Sequence, residues 1–294
     1  MRLMKPESVR LSFEPPYDWG AMLEYLRARA IAGVEEVEKD RYRRSFAVDG
    51  VTGVVEVRPL RGKALGATID TDEPAPIASI VARLRRVFDL DADVGLIARH
   101  LSRHPRLAPL VAARPGLRVP GAFEPYELAV RAILGQQISV GHAVSLARRM
   151  VERHGDRLPA GLRRRYAGLS RLFPRASVLA RSDLGSLGMP GARARSIASL
   201  AAAVAREPEL LAPLASLDES VRRLKALPGI GEWTAHYIAL RALREPDAFP
   251  AADAGLLRAM ERNGKRPAPS ELLSISQAWR PWRAYAAQHL WTKG

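Results

Sequence analysis

RRLKALPGIGEWTAHYIALRALREPDAFPAADAGLLR, residues 222–258, is the stretch on which the fold turns. A helical run ends near Ala226, meets Leu227-Pro228-Gly229-Ile230-Gly231, and restarts as a second helix over about 232–244. Proline stops the first helix, and Gly229 and Gly231 are expected to take positive φ and let another backbone come close. The second helix begins with unpaired N–H groups, which attract an anion. This is a helix-hairpin-helix pattern, and a nucleic-acid phosphate is the anion it suits. The competing reading of the pentapeptide is a plain αα-corner with glycines for close packing. Beyond the second helix, a loop through Pro250 delivers Asp253 just ahead of the apolar run GLLRAM. Aspartate there is what a helix N-cap requires. A cap and a working carboxylate are compatible, since the helix dipole favours the negative charge.

Working outward, the second helix carries Ala235, Ile238, Ala239, Ala242 and Leu243 at core spacing. Trp233 and Tyr237, four residues apart, share a different face. Such a pair is ordinary packing in most helices, but beside a phosphate-binding turn it also offers a stacking surface for a nucleobase. Asp247, nearer the helix end, reads as a turn residue.

The chain holds 46 Lys and Arg against 31 Asp and Glu, a formal net charge of +15 in 294 residues. That balance favours a polyanionic partner, although an Arg-rich proteome produces the same number without one. No cysteine is present, which excludes disulfides, a thiol nucleophile, thiolate zinc and an iron–sulfur cluster. The six histidines have no metal-ligand spacing, so no side-chain metal site is expected. No apolar run is long enough to span a membrane, and the start of the chain lacks the apolar segment of a signal peptide. A cytoplasmic protein with no membrane association is expected.

The fold class expected is α+β. Residues 1–76 alternate strand and helix patterns: SVRLSF, a helix over about 17–32 capped by Asp18, then RRSFAVDG, VTGVVEVRPL and ALGATID. Asp49-Gly50 between two of these runs is a hairpin signal. An antiparallel β-sheet domain with helices follows, linked over about 72–76 to a mostly helical core. That core divides into a subdomain of 77–125 with 246–294 and another of 126–245, the hairpin lying at 217–244. Ser139 is placed to cap a helix, and the run Arg163-Arg164-Arg165 is either a solvated loop or a phosphate contact.

The LPGIG turn, the Pro250 loop and Asp253 together resemble the signature of the helix-hairpin-helix DNA glycosylase superfamily. PPYDW at 15–19, RAILGQ at 131–136, LGMP at 187–190, GEWTAHY at 231–237 and RPWRAY at 280–285 extend the resemblance over nearly the whole chain, toward the bacterial 3-methyladenine DNA glycosylase II type. The resemblance implies that Asp253 is catalytic and that Trp233, Tyr237, Trp282 and Tyr25 line a base pocket. It puts Gly229, Ile230, Gly231 and Thr234 on the DNA backbone, and Gln137 where the family inserts a leucine wedge into the gap left by the flipped base. His236 also departs from the family pattern and carries no role at this level. Strand-cutting relatives have a lysine where this chain has Trp233. Without an amine there, no Schiff base forms at that position. The implied function is a monofunctional glycosylase that flips alkylated purines out of duplex DNA and excises them in base excision repair. It would act as a monomer and need no cofactor; a monovalent cation on the hairpin carbonyls is the one ion the resemblance leaves open. Two alternatives share these features: a glycosylase for deaminated or oxidised bases, and a non-enzymatic helix-hairpin-helix DNA-binding protein.

Overall fold

A computed structural model describes residues 5–292. Strands β1 (Glu7–Ser12), β2 (Glu35–Glu38), β3 (Arg41–Val48), β4 (Val51–Pro59) and β5 (Ala64–Thr71) form one antiparallel sheet in the order β1-β5-β4-β3-β2. Asp49 and Gly50 both have positive φ, 50° and 83°, and join β3 to β4 with Val48 opposite Val51, as a two-residue hairpin requires. Helix α1 (Trp19–Arg29) sits between β1 and β2, shorter at both ends than its apolar pattern suggests. Asp18 sets its start by accepting the Ala21 N–H at 2.9 Å. Strand β2 has no counterpart in the sequence reading. Its residues, EEVE, carry almost no apolar signal; it is held instead by cross-strand charge, with Glu35 opposite Arg44 and Glu36 opposite Arg43.

Fourteen helices are defined among the described residues. After α1 come α2 (Ile77–Phe88), α3 (Val94–Leu101), α4 (Ala108–Ala113), α5 (Pro125–Leu134), α6 (Val140–His154), α7 (Ala160–Arg165) and α8 (Ala176–Leu179). The chain continues through α9 (Gly191–Arg206), α10 (Leu217–Lys225), α11 (Glu232–Arg241), α12 (Ala254–Ala259), α13 (Pro269–Ile275) and α14 (Arg283–Trp291). One helix cannot cover a face of a five-stranded sheet. Ile80, Leu84, Val87 and Phe88 of α2 therefore join Tyr42, Phe46, Val55 and Ile69 in the sheet's core. The change of pattern near residue 76 marks the end of the strands and not the end of that core. A second apolar cluster gathers residues from Ile97 to Leu290, with Ile31 and Val34 from the N-terminal part, across the expected division of the helical part.

The two layers are joined by buried charge. Arg44 of β3 donates to Glu127 of α5 at 2.7 Å, and Arg131, one turn along α5, pairs with both Glu127 and Glu35. Tyr42 completes the group by donating its hydroxyl to Glu35 at 2.7 Å. Burial works against ionisation of Glu127, but Arg44 and Arg131 outweigh it and hold the carboxyl below its usual range. Arg165 forms a second tie, donating to both oxygens of Asp70 at 2.8 and 2.9 Å. Within the basic run at 163–165, that guanidinium serves docking of α7 onto β5.

Arg44 is only 4% exposed, so Glu127→Leu strands a buried cation. Equilibrium urea unfolding should show a loss of about 3–5 kcal/mol. The double variant Arg44→Met/Glu127→Leu should recover much of it.

Candidate active site

The hairpin forms as the sequence pattern indicates, with α11 ending three residues early because Arg244 turns to positive φ. Its two glycines do different work. Gly229 has φ +79°, and a Cβ there would lie 1.8 Å from Ser196 Oγ on α9, so both conformation and packing demand glycine. Gly231 contradicts the expectation of positive φ: it is extended at φ −86°, ψ −178°. A Cβ at Gly231 would meet nothing within 4 Å, so the approach to the first N–H groups of α11 is open. Ile230 is buried beneath the turn. Thr234, expected on the DNA backbone, is 3% exposed, so its buried side chain leaves only the backbone N–H for such a contact. Its hydroxyl instead accepts from Gln136 Nε2 at 2.9 Å.

That amide also donates to the Gly229 carbonyl at 3.0 Å, while Arg193 of α9 donates to the Gln136 carbonyl. The turn after α5 is thereby fastened to the hairpin. Gln137, the next residue, is exposed and has φ +56°.

Asp253 is an N-cap and more. Its Oδ1 accepts the Gly255 and Leu256 N–H groups at 2.9 and 3.0 Å and the Trp291 indole at 2.8 Å. Oδ2 accepts the Trp233 indole at 2.9 Å. Four N–H donors thus fix one half-buried carboxylate, three of them on a single oxygen. Trp233 stacks on Tyr237 with centroids 5.3 Å apart and planes 15° from parallel, and Trp291 meets Tyr237 edge-on at 6.2 Å. His236, on the adjacent face, accepts the Phe249 N–H through Nδ1 at 3.3 Å and faces Glu232 through Nε2 at 3.1 Å. It holds the loop that leads to Asp253. Burial keeps its pKa below the ordinary histidine value, which suits the neutral acceptor role. Asp247 is not a rival carboxylate: both its oxygens are taken by Arg283 at 2.8 and 2.9 Å.

These groups wall a cavity of about 750 Å³ between α1, the sheet, α5, α11 and α14. Asp253, Trp233, Tyr237 and Tyr25 all line it. Trp282 does not. It precedes α14 and packs edge-on against Tyr285 at 6.0 Å, whereas Trp291, at the far end of that helix, faces the cavity. The sequence reading chose the tryptophan of a recognisable motif over one in an unremarkable helix. A further omission is Arg241, which follows Trp233 and Tyr237 at helical spacing and is 2% exposed. A charged residue inside an apolar helix face was the available signal. Its guanidinium lies 4.6 Å from the Tyr25 ring, 5.6 Å from Tyr237 and 5.0 Å from Trp291. Its head is held by the Pro120 carbonyl at 3.1 Å and Gln288 at 2.9 Å.

An aromatic cavity with one fixed carboxylate, next to a helix terminus open to an anion, has known counterparts. Residues 8–124 match the AlkA N-terminal domain, and residues 130–284 match the HhH-GPD superfamily base excision DNA repair proteins. DNA-3-methyladenine glycosylase 2 of Escherichia coli (strain K12) is 34% identical over 288 residues, spanning 96% of this chain and 95% of that protein. The probable bifunctional transcriptional activator/DNA repair enzyme AlkA of Mycobacterium tuberculosis is 38% identical over 97% of this chain; the match spans 56% of that relative's length. In fold, the chain is similar to a 3-methyladenine DNA-glycosylase from Archaeoglobus fulgidus, with a TM-score of 0.82 at 22% identity, covering 96% of this chain and 97% of the other. On the identity over nearly the full length and on the domains matched, the chain belongs to the HhH-GPD superfamily of base excision DNA repair proteins.

Proposed function

We propose that the protein is a monofunctional DNA glycosylase that extrudes alkylated purines, of the 3-methyladenine and 7-methylguanine type, from duplex DNA and hydrolyses their N-glycosidic bond. The observation that carries this reading is the Asp253 carboxylate, fixed by four N–H donors on the wall of an aromatic cavity beside the hairpin. The reading is supported by the family and by relatives named as 3-methyladenine glycosylases.

Ordinary glycoside hydrolysis uses two carboxyl groups, one to protonate the leaving group. A purine alkylated on a ring nitrogen is already cationic. When its bond to C1′ breaks, the electron pair goes to the base, which leaves neutral without an acid. The remaining demand is positive charge developing on the sugar, which Asp253 opposes electrostatically. Water then adds to C1′ and gives up a proton. One carboxylate is sufficient, and no cofactor is needed. Trp233, Tyr237, Tyr25 and Trp291 would receive the base, with cation–π attraction contributing roughly 0.5–2 kcal/mol at each favourable ring. The open end of α11 would take a phosphate through Gly231 and the preceding turn, where a monovalent cation on backbone carbonyls would add to the contact. Gln137 would fill the gap in the duplex, its amide able to pair with the orphaned base. Because a single chain encloses the cavity, the active form proposed is a monomer. No helix among the described residues is long and apolar enough to cross a membrane, in keeping with action on chromosomal DNA in the cytoplasm.

Asp253→Asn should lower base release from methylated duplex DNA by at least about 100-fold while leaving the affinity for duplex containing an abasic site within about twofold. Full activity in the variant would remove Asp253 from the mechanism. Borohydride treatment of the wild-type protein with its substrate should trap no covalent DNA adduct, because Trp233 stands where an amine would be needed. A trapped adduct would refute the monofunctional assignment.

A further inference from the structure

The end of the cavity farther from Asp253 along α11 is polar, which an aromatic cage for cationic bases does not require. The Tyr25 and Tyr237 hydroxyls lie 3.3 Å apart and both residues line the cavity. Arg29 stands over the Tyr25 ring at 4.0 Å, and Arg241 faces the Tyr25, Tyr237 and Trp291 rings. Both arginines also line the cavity. Arg29 is itself anchored, donating to the Tyr25 carbonyl at 3.4 Å, while Arg131 donates to the Arg29 carbonyl at 2.7 Å. Two carboxylates of the cavity lining, Glu35 and Glu127, are engaged by Arg131 and Arg44. Two guanidiniums face the phenol pair, and among the described residues neither forms an ion pair with a carboxylate.

This arrangement has two chemical consequences. The ring faces that would attract a cationic base already face a resident cation, so cation–π selection is weakened at Tyr25, Tyr237 and Trp291. Hydrogen-bonding capacity is also biased. Burial would raise the Tyr237 pKa, but Arg241 and Arg29 outweigh burial and bring it below the ordinary tyrosine value, while Tyr25 is raised by burial. One hydroxyl of the pair donates to the other, so the pair keeps a single O–H to offer a ligand, and the guanidiniums around it favour a negative partial charge.

Resting on the glycosylase reading above, we infer that the Tyr25–Tyr237 hydroxyl pair, set between Arg29 and Arg241, is a specificity element that takes the exocyclic oxygen of a 6-oxopurine in preference to the amino group of a 6-aminopurine. The placement follows from the base itself. With the sugar at Asp253, the C6 substituent of a purine lies on the side of the ring system away from the glycosidic nitrogen. The ring passes Trp233 and brings C6 toward Tyr237, which is stacked one turn further along α11. A carbonyl oxygen accepts there from a phenol O–H; an amino group brings its own hydrogens toward two guanidiniums.

Methylated duplex DNA supplies 7-methylguanine, a 6-oxopurine, and 3-methyladenine, a 6-aminopurine, in one reaction. Their release ratio is independent of how much variant protein is folded. Tyr25→Phe should lower 7-methylguanine release by about five- to tenfold, the worth of one hydrogen bond, and 3-methyladenine release by less than about twofold. A duplex carrying hypoxanthine, 6-oxo and uncharged, should follow 7-methylguanine. An unchanged ratio, or hypoxanthine release that ignores the substitution, overturns the inference while leaving the glycosylase reading intact. A wild-type protein that releases none of the three bases overturns both.

Discussion

The site depends on the anchoring of one carboxylate. Asp253 closes the N-terminus of α12 and accepts two indole N–H groups, from Trp233 on α11 and Trp291 on α14. Three helices meet at that group. Of the same indoles whose N–H edges hold the carboxylate, Trp233 lays its face on Tyr237, and both line the cavity. Carboxylate and aromatic cavity wall are therefore one hydrogen-bonded unit, and a shift in any of the three helices would move both. Charge-assisted bonds of this kind are about twice as strong as neutral ones, which fits the role proposed for Asp253, that of a side chain held in place while a charged sugar forms beside it.

A second fastening joins the hairpin to the turn after α5. Gln136 bridges the turn after α5 to the Gly229 carbonyl and the Thr234 hydroxyl, and Gly229 lies against Ser196 with no room for a Cβ. The hairpin and Gln137 therefore sit in a fixed relation to each other. In the proposed function, the segment that would grip the DNA backbone and the one that would enter the base stack have to keep that spacing, since the energy of extruding a base is recovered only if both contacts form together. Behind them, the buried Arg44–Glu127–Arg131–Glu35 group holds the sheet layer, and with it α1 and Tyr25, against the helical layer. The sheet thus contributes a wall of the cavity as well as support.

Much of the fold was legible in the sequence because the features were local. Proline and glycine at 228–231 break a helix whatever surrounds them, Asp49-Gly50 turns a hairpin, and Asp18, Ser139 and Asp253 cap the helices they precede. Strand β2 was not legible: its pairing is decided by arginines seven and nine residues away on β3. The placement of α2 was also hidden. Its amphipathic pattern states that one face is buried but not that the partner is the sheet.

For the site, the sequence by itself determined the helix-hairpin-helix, the capping aspartate and the Trp233–Tyr237 face, each a matter of spacing within one turn or one helix, whereas the meaning of a missing lysine at 233 came from the family resemblance. Only the tertiary structure decided which tryptophan completes the cavity. Trp282 and Trp291 are equivalent in composition, and the choice is made by the packing of α14, which turns one toward Tyr285 and the other toward Asp253. It likewise decided that Thr234 faces inward, that Arg165 is spent on Asp70, and that Arg29 and Arg241 stand against the aromatic rings. The physical reason is common to all of them. A side chain's direction is fixed by its own helix, but what it meets is fixed by how distant helices cross, and that is settled by burial summed over the whole core.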